Sequence, residues 1–232
     1  MVDLNFPQST KVGKPVPKNA FYKHLEVNAK IKQHFVDDVA RIDWLYKLAP
    51  STLNVADGTA VHEIVVFSAV LKSKDCPNDV FLFIDQNMPR HVVFILEYES
   101  SYKVLLNYKE WKDGKDGKDG QNGQFRIVKT FATGWLAIEQ LSLPVEGQTM
   151  DAVYEAMVGR VSGFGTTKSA DTRHIIELES LIAKGKRDVE NLQKRIRAER
   201  QLNRQMELNG EARQLKRQIA QWQKELDELR NG

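Results

Sequence analysis

The chain has 232 residues, an ordinary apolar fraction of 41% and a formal net charge of +3. That length allows one globular domain with an extension or two small domains, and that apolar content rules out a wholly disordered chain. A single cysteine, Cys76, excludes an intrachain disulfide and a cysteine metal cluster. The start, "MVDLNFPQSTKVGK", lacks the apolar run of a signal peptide, and no segment has the length of a membrane span. The expectation is a cytoplasmic protein with no membrane partner.

Residues 1–19 contain three prolines and read as an extended arm carrying Lys11, Lys14 and Lys18. "EVNAKIKQHFVDDVARI" (26–42) spaces Ile31, Phe35, Val39 and Ile42 as an amphipathic helix does, with Asn28 at the N-cap position. "IDWLYKL" (42–48) alternates, which predicts a strand with Ile42, Trp44, Tyr46 and Leu48 on one side and Pro50 ending it. "AVHEIVVFSAVLK" (60–72) is apolar at nearly every position and predicts a strand buried on both faces. "NDVFLFIDQNM" (78–88), between Asn78 and Pro89, predicts a short helix.

"HVVFILEY" (91–98) and "YKVLLNYKEW" (102–111) are joined by so short a polar stretch that an antiparallel hairpin follows. "QFRIVKTFAT" (124–133) supplies a further strand, and a meander is the economical topology. "TMDAVYEAMVGRV" (149–161) predicts a helix with Met150, Val153, Tyr154, Met157 and Val161 on one face. The fold class expected for 1–165 is α+β, a mainly antiparallel sheet covered by helices behind the extended N-terminal arm.

"SGFGTTKSA" (162–170) reads as a linker, and the domain from 166 to 232 as a basic helical tail. Ile175, Leu178, Ile182, Val189, Leu192 and Ile196 form one heptad seam. Leu208, Leu215, Ile219, Trp222, Leu226 and Leu229 form a second, out of register with the first across 197–207. A stutter in one long helix accounts for this break, and so does an antiparallel helical hairpin. The hairpin is preferred because it pairs both seams within one chain, and Asn209-Gly210 places its turn at or near "MELNG".

Few motifs carry chemistry. The lysine-aspartate-glycine repeat at 112–120 spaces its carboxylates by three with no closing Glu, so a polar hairpin tip suits it better than a calcium loop. "GRVSGFGTTK" (159–168) has the wrong order for a phosphate loop. The five histidines show no zinc spacing, and no nucleophile signature occurs. No catalytic residue, metal ligand or cofactor is therefore expected. The one catalytic alternative is a metal-dependent nuclease on the central sheet, using Glu63, Asp85, Glu97 and the Asn107/Lys109 pair.

The tail gives the stronger signal. Residues 166–232 carry 15 Lys/Arg against 11 Asp/Glu, and between 184 and 217 the ratio is 11 to five. Lys184, Arg187, Lys194, Arg195, Arg197, Arg200 and Arg204 are the candidate contacts for DNA or for a protein partner. The same charges also suit the solvated face of a coiled coil, including one that joins copies of the chain into a homo-oligomer.

"VPKNAFY", "WLYKLAPSTLNV", "HEIVVF" and "ERQLNRQMELNGEARQLKRQ" together resemble the bacterial and archaeal family known as domain of unknown function 4391. The resemblance runs over nearly the whole chain and leaves the insert at 112–123 outside. It implies a gene setting beside DNA methyltransferases and helicases in restriction or antiphage loci. A non-catalytic accessory subunit of such a complex, with a methyltransferase or helicase as partner, is the function that the resemblance implies. It transfers no catalytic residue.

Overall fold

Lysine side chains and β-branched residues decide where the first helix stops. In the computed structural model, which describes residues 2–23, 27–111, 125–163 and 169–231, β1 is Lys11–Val16 and α1 is Ala29–Asp37. Asn28 caps α1, its side chain accepting the Ile31 N–H at 3.1 Å. The other end is closed by cations. Lys18 Nζ donates to the carbonyls of Phe35 (2.8 Å) and Val39 (2.7 Å), and Lys72 Nζ to that of Val36 (2.8 Å). The helix is therefore shorter than the spacing predicted. Val39 and Ile42, although fully buried, belong to β2, Val39–Leu48, where strand pairing wins over helical periodicity.

The remaining elements of the first unit are α2 (Pro50–Leu53), β3 (Ile64–Leu71), α3 (Asp79–Asn87), β4 (His91–Tyr98), β5 (Ser101–Trp111), β6 (Phe125–Ala132) and α4 (Met150–Ser162). The strands form one sheet in chain order, β1 to β6. Every neighbouring pair is antiparallel except β3 and β4, which run parallel because α3 carries the chain back between them. The expected meander is thus interrupted once. Pro15 lies in β1, an edge strand, where a missing ladder donor is tolerated.

Phe35, Phe67, Phe81, Phe94 and Leu105 pack with α1 and α3 in one core cluster. The buried Met150, Val153, Tyr154 and Met157 of α4 lie outside it and pack on β5 and β6. The alternation read in "IDWLYKL" breaks at a bulge between Trp44 and Tyr46. Trp44 pairs with Phe67 but Tyr46 pairs with Val66, so the two rings point to opposite faces. Tyr46 then packs at a tilt against Phe6 of the arm, accepts the Leu4 N–H (3.0 Å) and donates to Asp3 (2.8 Å).

The loop before β3 is held by Asp151, whose carboxylate accepts the N–H groups of Thr59 (2.6 Å), Ala60 (3.1 Å) and Val61 (2.7 Å). Gly58 is required there, since a Cβ would lie 2.6 Å from Asp151 Oδ1. The expected hairpin tip at 112–123 falls outside the described residues, as does most of the linker at 162–170.

The chain divides into two units, Met1–Gly163 and Phe164–Gly232. The second contains α5 (Ser169–Ala198) and α6 (Leu202–Asn231), packed together. The hairpin is antiparallel: His174 Nε2 meets Glu225 at 2.8 Å and Arg230 meets Glu179 at 2.7 Å. The turn is Glu199–Gln201, upstream of the one predicted at "MELNG", which lies inside α6. Asn209 and Gly210 remain helical because the seam around them, Leu208 and Ala212, is buried against α5.

Gly185 completes the α5 seam between Ile182 and Val189. Its Cα side faces Ile219 and Trp222, and an added Cβ would stand 3.0 Å from Ile219. Gly185→Val is expected to lower hairpin stability by about 1–3 kcal/mol through overpacking. Thermal melts of Gly185→Val, Ile219→Ala and the double variant check this, with positive coupling between the two sites as the expected result.

Candidate functional site

Among the described residues of the first unit, Asp85 and Lys109 form a sealed ionic centre. Asp85 lies in an apolar stretch of α3 and faces β5, where Lys109 reaches it at 2.7 Å with both side chains fully enclosed. The Lys109 ammonium also donates to the carbonyls of Asp85 (2.9 Å) and Arg90 (2.6 Å), with the Met88 carbonyl at 3.3 Å. The Asp85 carbonyl is one of those left open where α3 ends, and the Met88 and Arg90 carbonyls follow it in the connection to β4, so Lys109 caps the helix and holds that connection. The Phe125 ring closes over the ammonium at 4.2 Å.

The carboxylate is satisfied on its other side. Asn107 Nδ2 donates to Asp85 Oδ2 (2.8 Å), and Thr130 Oγ1 donates to Asn107 Oδ1 (2.7 Å). Tyr154 of α4 donates to the Asn107 carbonyl at 2.5 Å. Burial pushes the Asp85 carboxyl up and the Lys109 ammonium down, each against the attraction of the other. With three short donor contacts on Lys109 and both oxygens of Asp85 engaged, the pair is held in its charged form. His91, edge-on to Tyr154 and Phe125, is pushed well below its usual range by burial and is neutral.

Three residues of the nuclease alternative, Asp85, Asn107 and Lys109, are therefore brought together, with every polar contact directed inward. Glu63 and Glu97 do not join them. Glu63 precedes β3 and pairs with Lys47 (3.1 Å) and Arg90 (3.7 Å). Glu97 stands opposite Val70 at the far end of the parallel pair that begins at Ile64 and His91. Six strand residues separate those levels, roughly 20 Å at about 3.3 Å per residue. Among the described residues, no three His, Cys, Asp or Glu side chains are grouped to hold a metal ion.

Two other features are chemically quiet. Burial, with Asp38 and Asp79 nearby, pushes the Cys76 thiol up to about 12, far from a reactive thiolate. A cleft of about 410 Å³ over Val104, Leu143 and Val161 is rimmed by Gln140, Ser142 and Arg160. Arg160 Nε donates across it to the Ser142 carbonyl at 3.5 Å.

The hairpin divides its charges by helical position. The α5 seam runs Ile175, Leu178, Ile182, Gly185, Val189, Leu192 and Ile196, and the α6 seam Leu208, Ala212, Leu215, Ile219, Trp222, Leu226 and Leu229. Residues one before a seam position meet across the helices, as His174 and Glu225 do; residues one after it meet on the other side, as Glu179 and Arg230 do. Lys184, Arg195 and Arg204 fall on the first flank with Asp188, Glu207 and Glu211. Arg197 falls on the second flank and Arg200 in the turn, while Arg187 and Lys194 point outward. The seven predicted contacts thus do not share one face.

The second flank also carries Lys186, Arg213 and Lys216, which spacing within a single helix did not single out. Their grouping depends on the antiparallel register, which only the folded hairpin supplies. At the turn, Glu199 accepts the backbone N–H groups of Gln201 (2.9 Å) and Arg200 (2.8 Å), which hold its carboxyl below the usual range. Arg204 adds to this at 3.9 Å.

A family model described as domain of unknown function (DUF4391) matches residues 4–219, covering both units. No curated protein and no solved structure matches the chain.

Lys109→Met, which strands a buried carboxylate, is expected to lower the stability of the first unit by about 3–5 kcal/mol. The double variant Asp85→Leu/Lys109→Met is expected to recover most of that stability. Denaturant titration of the two variants checks the assignment of the pair as a structural lock.

Proposed function

Because the chain belongs to the DUF4391 family, we propose that it works as a non-catalytic accessory subunit of a DNA-modification, restriction or antiphage defence complex. Its basic helical hairpin makes the contact, with a methyltransferase or helicase of that complex or with the DNA they hold. The observation that carries this reading is where the free charge lies. Between 184 and 217 the hairpin has 11 Lys/Arg against five Asp/Glu. The first unit, by contrast, turns its ionic centre inward.

The resemblance to chains encoded beside methyltransferases and helicases supplies the partner class. The hairpin geometry supplies the means: a two-helix arm whose own seam is filled within the chain leaves its charged flanks for another molecule. A homo-oligomer built on the coiled-coil seam would have to displace that filling first.

Deleting 171–232 is expected to abolish co-purification with the methyltransferase or helicase of the locus while the remaining unit still melts cooperatively. Retention of the complex would contradict the reading. For direct DNA contact, replacing Arg195, Arg197 and Arg200 with Ala should flatten the salt dependence of affinity. The logarithmic slope should fall by about 0.9 for each phosphate that the variant no longer neutralises. Unchanged binding at low salt would exclude DNA as the direct partner.

A further inference from the structure

The second flank of the hairpin near its turn is unlike any other described surface of the molecule. Arg197 lines it from the end of α5, Arg200 from the turn, Arg213 and Lys216 from α6, and all four are exposed. The antiparallel register, in which Gly185 faces Ile219, sets Ile196 opposite Leu208, so Arg197 stands beside the first turns of α6 and Arg213 lies about a turn and a half further along. None of the four side chains has a carboxylate within 4 Å among the described residues. Glu190, one after Val189, lies on the same flank without pairing with any of them, and neighbouring cations repel one another and weaken the hairpin they stand on.

Two apolar side chains stand at the tip of the same flank. Leu202 is 69% exposed and Met206 65%, an i,i+4 pair on the first turns of α6. They sit one position after the seam, outside the buried line. Neither contributes to the packing of α5 against α6.

We infer that this tip docks an acidic protein surface with an apolar centre, such as one face of an amphipathic helix bearing Glu or Asp beside Leu. Leu202 and Met206 enter its apolar strip, while Arg197, Arg200, Arg213 and Lys216 pair with its carboxylates. Interfaces combine an apolar centre with arginine in this way, and methionine adapts to irregular partners. A nucleic-acid backbone would neutralise the arginines but offers no apolar strip for the Leu/Met pair. A second copy of this flank would set cations against cations. The opposite flank is balanced, with Lys184, Arg195 and Arg204 beside Asp188, Glu207 and Glu211, and has no such preference.

This inference rests on the reading that the hairpin makes the partner contact, and narrows it to one flank and one partner chemistry. The test is fluorescence anisotropy of the full chain with three labelled probes. They are a three-heptad helical peptide with Leu at the seam and Glu beside it, its Leu-to-Ser version, and a two-turn DNA duplex. The first peptide should bind, and its Ser version at least about tenfold more weakly. Leu202→Ser/Met206→Ser should weaken binding by a similar factor, and Arg197→Glu/Arg213→Glu should abolish it. Lys184→Glu/Arg195→Glu, on the opposite flank, should stay within about twofold.

Tighter binding of the duplex than of the peptide would overturn the assignment, as would peptide binding that ignores Leu202 and Met206. Self-association abolished by Met206→Ser would overturn it in favour of a second copy. If the peptide fails while deleting 171–232 still releases the partner, this face falls and the accessory role stands. If that deletion releases nothing, the accessory role falls as well.

Discussion

A helix that carries the chain between two parallel strands must stop on time, and here a lysine from a neighbouring strand makes it stop. The crossover α3 ends at Asn87, and only three residues separate it from β4 at His91. Without Lys109, the Asp85 carbonyl at that stop and the Met88 and Arg90 carbonyls of the connection would lose this donor. Asp85 then balances the ammonium, Asn107 and Thr130 balance the carboxylate, and Tyr154 ties α4 to the same point. Both layers over β5 are thereby fastened to one strand. The same device recurs at α1, whose last turn is closed by Lys18 from the arm and Lys72 from the end of β3.

Such a centre is a poor reaction site for a physical reason. The ammonium and both oxygens of the carboxylate are engaged by fixed protein groups, so none is left to meet a substrate. Residue types that suit phosphodiester chemistry on paper are here spent on holding the fold. In the hairpin, the basic side chains between 184 and 217 face solvent and the apolar seam is already full.

Much of this was legible in the sequence, and each miss has a physical cause. Long apolar runs such as 64–71 and 91–98 predicted their strands because nothing competes with strand formation there. The hairpin of β4 and β5, the Asn28 cap and the antiparallel tail followed from local rules. The end of α1 was missed because Lys18 and Lys72 close it from afar, and Val39 fits either periodicity. The bulge between Trp44 and Tyr46 hides in an unbroken alternation, since a bulge changes faces without changing composition. The turn was misplaced because Asn209-Gly210 looks like a helix breaker, whereas Glu199 closes the real turn through backbone hydrogen bonds. For the candidate site, residue types were legible but grouping was not. Arg197 and Arg213 come to share a flank only through the packing of two helices.

On this reading stability rests on the sealed pair in the first unit, and the proposed recognition on the basic tip of the hairpin in the second. The direct test is to measure melting temperature and partner capture on the same two full-length variants. Asp85→Leu/Lys109→Met should shift melting yet leave capture of the partner unchanged at temperatures where it is folded. Arg197→Glu/Arg213→Glu should leave the melting temperature within about 2 °C and abolish capture. Failure of the folded Asp85→Leu/Lys109→Met variant to capture the partner, with capture retained by the arginine variant, would contradict this division.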